Sequence, residues 1–211
     1  MRLILILVLL GLSASALART ASQATTILVI GDSISAAYGL DEADGWVSLA
    51  EIELKKEYPA VTMVNASISG DTTEGALRRL PAALDRFQPT VLVIELGGND
   101  GLRGYSIKKL RENLESLVKM GQDAGAKVLL LGMQIPSNYG PAYTEQFAKT
   151  FVDAADATGA ALIPFFLEPI ALDINYFLPD GIHPNAEAQP LLMAPVVEQL
   201  LQLTEQTESA N

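Results

Sequence analysis

The 211-residue chain has no cysteine and a single histidine, His183. Without cysteine there are no disulfides and no attachment point for a lipoprotein anchor. A chain of this length can bury a core without staples, so the absence does not argue against export. One histidine and no cysteine also leave too few soft ligands for a zinc site. Charge is sparse as well, at 18% of residues against the usual quarter or so. Cations are the scarcer sign: 14 Lys and Arg stand against 25 Asp and Glu, for a net charge of −11. Such a chain repels nucleic acid and gains nothing from anionic headgroups.

Long apolar runs are missing too, apart from Leu3 to Leu12 near the start. That run follows Met1-Arg2 and is too short to span a bilayer, which takes about 20 residues. Ala16-x-Ala18 after it fits signal-peptidase cleavage. The reading is therefore a signal peptide over 1–18, a mature domain over 19–211 and a periplasmic or secreted location. Losing Arg2 with the leader takes the net charge to −12. A stable membrane anchor and a nucleic-acid partner are not expected. The chain is expected to be a monomer.

Three familiar motifs are also absent. Position 35 is serine, so Ser33 is not in the Gly-x-Ser-x-Gly elbow of lipases. No Gly-x-Gly-x-x-Gly dinucleotide fingerprint follows the first strand. Asp41-Glu42-Ala43-Asp44-Gly45 lacks the alternating oxygen ligands and distal glutamate of a calcium loop, and reads as a solvated acidic turn. No cofactor or metal is expected.

What remains is a regular alternation. Five short apolar runs, 26–30, 61–64, 91–96, 127–133 and 161–165, suit strands buried on both faces of a parallel sheet. Helical segments are predicted over 46–58, 72–87, 106–124, 141–158 and 186–203. Pro81 should kink or break the second of these, Pro190 should disturb the start of the last, and 204–211 should fray. The pattern predicts an α/β fold with one domain. Ligands in such folds bind beyond the C-terminal strand ends, so the strand-to-helix turns carry the search.

The first turn, Gly31-Asp32-Ser33-Ile34-Ser35, places a serine at that lip. Were a helix to start close by, its N–H groups would converge there; Ser33 could equally be a helix cap. Gly70, in Asn65-Ala66-Ser67-Ile68-Ser69-Gly70-Asp71, permits close backbone approach or simply makes a turn. Asn99, in Glu95-Leu96-Gly97-Gly98-Asn99-Asp100-Gly101, has an amide able to donate to an oxyanion, or is a turn residue. Glu95 interrupts a strand that should be buried. Burial would raise its pKa, and a structural hydrogen-bond partner is expected. Asp180 lies three residues before His183 with Gly181 between, a spacing that lets a carboxylate hold one ring nitrogen while the other faces a nucleophile. Taken alone, an Asp-x-x-His is more often a surface pair.

In this order, the four turns resemble the SGNH (GDSL) hydrolases. The likeness is greater to the branch of bacterial thioesterase I, lysophospholipase L1 and arylesterase. It rests on residues 64–73, 95–104 and 180–185, and runs from about Thr26 to about Leu200. The resemblance implies a three-layer α/β/α sandwich with five parallel strands, flavodoxin-like. It implies Ser33 as nucleophile, His183 as base, Asp180 as its orienting partner, and an oxyanion hole from Ser33, Gly70 and Asn99. It implies hydrolysis of a small-molecule acyl ester or thioester through an acyl-serine. The family serine is usually followed by leucine, here Ile34, an apolar swap. Within loop 134–143, Ile135, Pro136 and Tyr139 are candidates to line an acyl groove, with a stiff core-packing loop as the alternative. Charge favours neutral or zwitterionic esters such as lysophospholipids over acyl-CoA. A polysaccharide O-deacetylase and a binding module with a decayed site are the competing functions.

Overall fold

The computed structural model describes residues 25–208; the proposed leader at 1–18 lies outside them. Five strands form one sheet: β1 (Thr26–Gly31), β2 (Thr62–Asn65), β3 (Val91–Glu95), β4 (Lys127–Leu131) and β5 (Ala161–Ile163). All pair in parallel, in the order β2-β1-β3-β4-β5. The central strands explain the unbroken apolar runs. Ile27 to Ile30 and Val91 to Ile94 are fully buried, because helices cover both faces.

Those helices are α1 (Trp46–Leu54), α2 (Thr73–Phe87), the short α3 (Gly98–Leu102), α4 (Ile107–Asp123), α5 (Pro141–Thr158) and α6 (Gln189–Glu208). α1 packs on α6 along one face; α2, α4 and α5 pack side by side on the other. This is the expected three-layer sandwich. Strand order reverses between β1 and β3, so the crevice such folds use for ligands lies beyond their ends.

Several boundaries differ from the sequence expectation. α1 stops at Leu54 rather than Tyr58, since the residue before Pro59 is biased away from helical geometry. α2 runs unbroken through Pro81. An interior proline costs about 3 kcal/mol. Here Pro81 is exposed while Ala76, Leu80 and Leu84 are buried around it, and each buried leucine contributes about 1.5–3 kcal/mol. Burial outweighs the lost bond. Pro190 sits in the first turn of α6, where no N–H is needed, so the helix begins at Gln189. The predicted fraying at 204 is incorrect as far as 208. The helix continues to Glu208, and Thr204 is buried with its hydroxyl donating to Leu200 O. Strands β3, β4 and β5 end earlier than their apolar runs. Leu96, Gly132-Met133 and Pro164-Phe165 already belong to the turns at the lip.

Candidate active site

Ser33 follows β1 in a series of turns over 33–39; a 3-10 turn comes only at Glu42–Asp44 and no α-helix starts until Trp46. A helix N-terminus is therefore not what shapes this turn. Its shape comes instead from Glu95 at the end of β3, which pairs in register with Gly31. Glu95 is fully buried, and its Oε2 accepts from the N–H groups of Asp32 (3.2 Å) and Ser35 (3.2 Å) and from the Ser35 hydroxyl (2.6 Å). The Ser35 oxygen in turn accepts from the Trp46 indole (3.2 Å). The two residues flanking Ser33-Ile34 are thus pinned from below. A side chain at Gly31 would fall 2.7 Å from Ser35 and 2.8 Å from Glu95 Oε2, so only glycine fits. Burial, followed by the charge of Asp32, pushes the Glu95 carboxyl well above its usual range, and Oε1 has no hydrogen-bond partner among the described residues. These donors are the structural partners expected for Glu95; sequence alone could not name them.

His183 reaches the serine from the long connection between β5 and α6. Its Nε2 lies 2.9 Å from Ser33 Oγ, and its Nδ1 lies 2.7 Å from Asp180 Oδ2. Asp180 Oδ1 accepts from the backbone N–H groups of Ile182 (2.9 Å) and His183 (3.0 Å), closing a tight turn with Gly181 at φ +67°. Those backbone bonds and the imidazole hold the Asp180 carboxyl down at about 2. A carboxylate on Nδ1 favours the tautomer with hydrogen there, leaving Nε2 to accept from the serine hydroxyl. The Tyr38 ring lies against the imidazole, 4.3 Å between centroids. The three sequence candidates are therefore in direct sequence of contact, and Tyr38 is a neighbour the sequence did not suggest.

The candidate oxyanion donors gather from three adjacent turns. Ile68 N–H donates to Gly31 O, and Asn65 Nδ2 donates to Ser35 O (2.8 Å), which holds the β2 turn against the β1 turn. Arg79 braces the same place, donating to Asp71 (2.7 Å), to Ala66 O and to Gly31 O. Gly70 adopts φ +78°, a conformation L side chains rarely take, while its Cβ position is open apart from Arg103 at 3.9 Å. The backbone, not crowding, requires glycine there. Asn99 lies in α3, an element the sequence reading missed because a Gly-Gly-Asn-Asp-Gly run reads as a turn. Its amide donates one hydrogen to Asp32 Oδ2 (3.0 Å), and the other meets no acceptor among the described residues. Among the described residues, the backbone N–H groups of Ser33 and Gly70 have no acceptor.

Asp32 is itself buried, and its Oδ1 accepts from Ile34 N–H (3.1 Å). Burial lifts its pKa to about 6, partly offset by the bonds from Ile34 and Asn99. The groove candidates divide: Ile135 is buried in the core, whereas Pro136 and Tyr139 are exposed. The Tyr139 hydroxyl donates to Leu102 O (2.9 Å), tying its loop to the end of α3.

A serine hydroxyl against an oriented imidazole, beside unpaired N–H donors, is equipped for acyl transfer. The family profile of the GDSL-like lipase/acylhydrolases matches residues 29–190. The chain belongs to that family. Its relatives include esterase TesA of Pseudomonas aeruginosa, 49% identical over 89% of this chain and 93% of the relative. Thioesterase 1/protease 1/lysophospholipase L1 of Escherichia coli K12 is 38% identical over 85% of each chain. A crystal structure of TesA superposes with a TM-score of 0.82 at 50% identity, covering 85% of this chain and 99% of that one. The family and fold expected from the four turns are the ones found. The chain is a serine-dependent ester hydrolase by family.

Proposed function

We propose that the chain hydrolyses carboxylic esters and acyl thioesters through an acyl-enzyme on Ser33. The observation that carries this is the continuous line Asp180 Oδ2, His183 Nδ1, His183 Nε2, Ser33 Oγ, with links of 2.7 and 2.9 Å. His183 takes the Ser33 proton as Oγ attacks the acyl carbonyl. Negative charge moves to the carbonyl oxygen, where the Ser33 and Gly70 N–H groups and the free Asn99 amide hydrogen receive it. Each such donor lowers the barrier by about 3 kcal/mol in comparable sites. His183 returns the proton to the departing alcohol or thiol. Water, activated by the same imidazole, then frees the acid. Asp180 keeps the ring in its working tautomer throughout.

For substrate we favour uncharged or zwitterionic esters with an apolar acyl chain, lysophospholipids included. Pro136 and Tyr139 stand at the surface on the β4–α5 loop and are the groove candidates that substrate can reach. The net charge disfavours a polyanionic leaving group at long range. Residues 1–18 read as an export leader, leaving Arg19 first in a periplasmic or secreted protein. The test is a rate profile on p-nitrophenyl esters from acetate to palmitate, with Ser33→Ala alongside. Hydrolysis of medium or long chains that disappears in the variant is expected. Activity confined to acetate would move the assignment to O-deacetylation, and full activity in folded Ser33→Ala would refute the mechanism.

A further inference from the structure

Exposed large apolar side chains are not spread evenly over this protein. Ten stand out among the described residues, and three of them, Ile52, Val152 and Leu191, lie on helices α1, α5 and α6. The other seven all lie between the C-terminal end of a strand and the long helix that follows it, Tyr105 after the short α3. Tyr38, Ile68, Tyr105 and Tyr139 occupy the first four connections, one each. The fifth, between β5 and α6, carries Leu172, Ile174 and Ile182, with Leu172 fully exposed and Ile174 at 70%. Single exposed apolar residues need no explanation, but a ring of them round one end of a sheet does.

The ring surrounds the catalytic groups. Tyr38 lies against His183, and Ile182 precedes it in the chain. A side chain placed at Gly181 would lie 3.9 Å from Ile174 Cδ1, and Asn185 donates to Asn175 O (2.7 Å), fastening the 172–177 loop beside the histidine. Charge on this end is equally uneven. Arg103 is the sole lysine or arginine in all five connections, whereas Asp41, Glu42, Asp44, Glu168, Asp173 and Glu187 are acids of the first and last. Arg103 is fixed beside the site, donating to Gly70 O at 3.0 Å.

We propose that this end of the molecule is a docking surface for a zwitterionic lipid surface, on which the enzyme meets its ester. The inference rests on the Ser33 hydrolase reading and adds the physical state of the substrate. Apolar side chains enter the acyl boundary, while the acidic rim meets the outermost ammonium groups of the headgroups. Arg103, exposed and held beside Gly70, faces the phosphate layer. The same rim is repelled by an anionic surface.

The experiment compares the wild-type protein with the double variant Leu172→Ser/Ile174→Ser, whose positions are solvent-exposed and bear no weight in the core. Each is tested for hydrolysis of soluble p-nitrophenyl acetate, for rate on lysophosphatidylcholine through its critical micelle concentration, and for co-sedimentation with phosphatidylcholine or phosphatidylglycerol vesicles. The wild-type rate is expected to break upward where micelles form, with sedimentation on phosphatidylcholine exceeding that on phosphatidylglycerol. The double variant should lose about tenfold or more in vesicle binding, given the area two such side chains bury, and keep its rate on the soluble ester. Unchanged vesicle binding by the variant, a preference for phosphatidylglycerol, or no break in rate would overturn the proposal. So would concentration-dependent dimerisation that the variant abolishes, since the face would then belong to a second copy. A wild-type protein inactive on the soluble ester would instead overturn the hydrolase reading beneath it.

Discussion

Asp180 and Asp32 both serve groups beside Ser33, one from a surface loop and the other from the buried floor between β1 and β3. Asp180 is held by neighbours two and three residues away, and its carboxyl sits at about 2. Asp32 is buried, answers to Asn99 from 67 residues away, and sits at about 6. The proposed base side of the site is thus a local device: a short turn builds it, and hydrogen bonds to the ionised form of Asp180 sustain it. The proposed oxyanion side is a tertiary device, in which burial works against the charge of Asp32 beneath it. The difference teaches where each half should be fragile. Local geometry fails with its own residue, and the buried floor responds to pH and to distant substitutions.

The largest expected effect comes from breaking the local half. Asp180→Asn removes the carboxylate that selects the Nδ1–H tautomer, and kcat should fall roughly 10³-fold or more with little change in thermal stability. Steady-state kinetics and a melting curve read both. Breaking the tertiary half at its donor is the next step down. Asn99→Ala deletes one proposed oxyanion contact and should lower kcat about 10²–10³-fold while leaving KM nearly unchanged. A dominant rise in KM would instead place Asn99 in substrate binding.

How much of this was legible follows the same division. Ser33, Asp180 and His183 could be noticed because strand ends, a three-residue spacing and the lone histidine are local features, but their roles came from the resemblance that the four turns carry together. The parallel sheet was legible because strands buried on both faces carry unbroken apolar runs. Glu95 could be seen as out of place, since it interrupts such a run, but its donors on Asp32 and Ser35 lie about 60 residues away in the chain. No pattern in the sequence connects them. The Asp32–Asn99 bond and the bracing by Arg79 were invisible for the same reason. Pro81 misled because propensity is a weak prior where Leu80 and Leu84 fill the core. The extension of α6 past Leu203 was missed because a polar composition suggested fraying, while Thr204 is buried and bonded within the helix.

A smaller effect sharpens the comparison through pH. Asp32 keeps its proton to about pH 6 in the folded chain but releases it near pH 4 when unfolded. Between those values the native state binds the extra proton, so this group makes stability fall as pH rises, and the cost stands in full above pH 6. Glu95, shifted in the same direction, contributes with the same sign. Asp180 has the opposite sign: its bonds stabilise the fold above about pH 4 and are lost as pH falls toward 2. Urea unfolding of Asp32→Asn should therefore show a flatter stability profile between pH 4 and 6 than the parent. An unchanged slope there would remove Asp32 as a buried, titrating member of the floor.

The central claim is that Ser33 becomes an acyl-enzyme nucleophile when His183 takes its proton. The most direct measurement is intact-protein and peptide mass spectrometry after treatment with a p-nitrophenyl alkylphosphonate, which traps an activated serine as a stable adduct. One adduct per chain, located on Ser33 and formed far more slowly in His183→Ala, is the predicted result. Labelling elsewhere, or on Ser33 at the same rate without His183, would contradict the account.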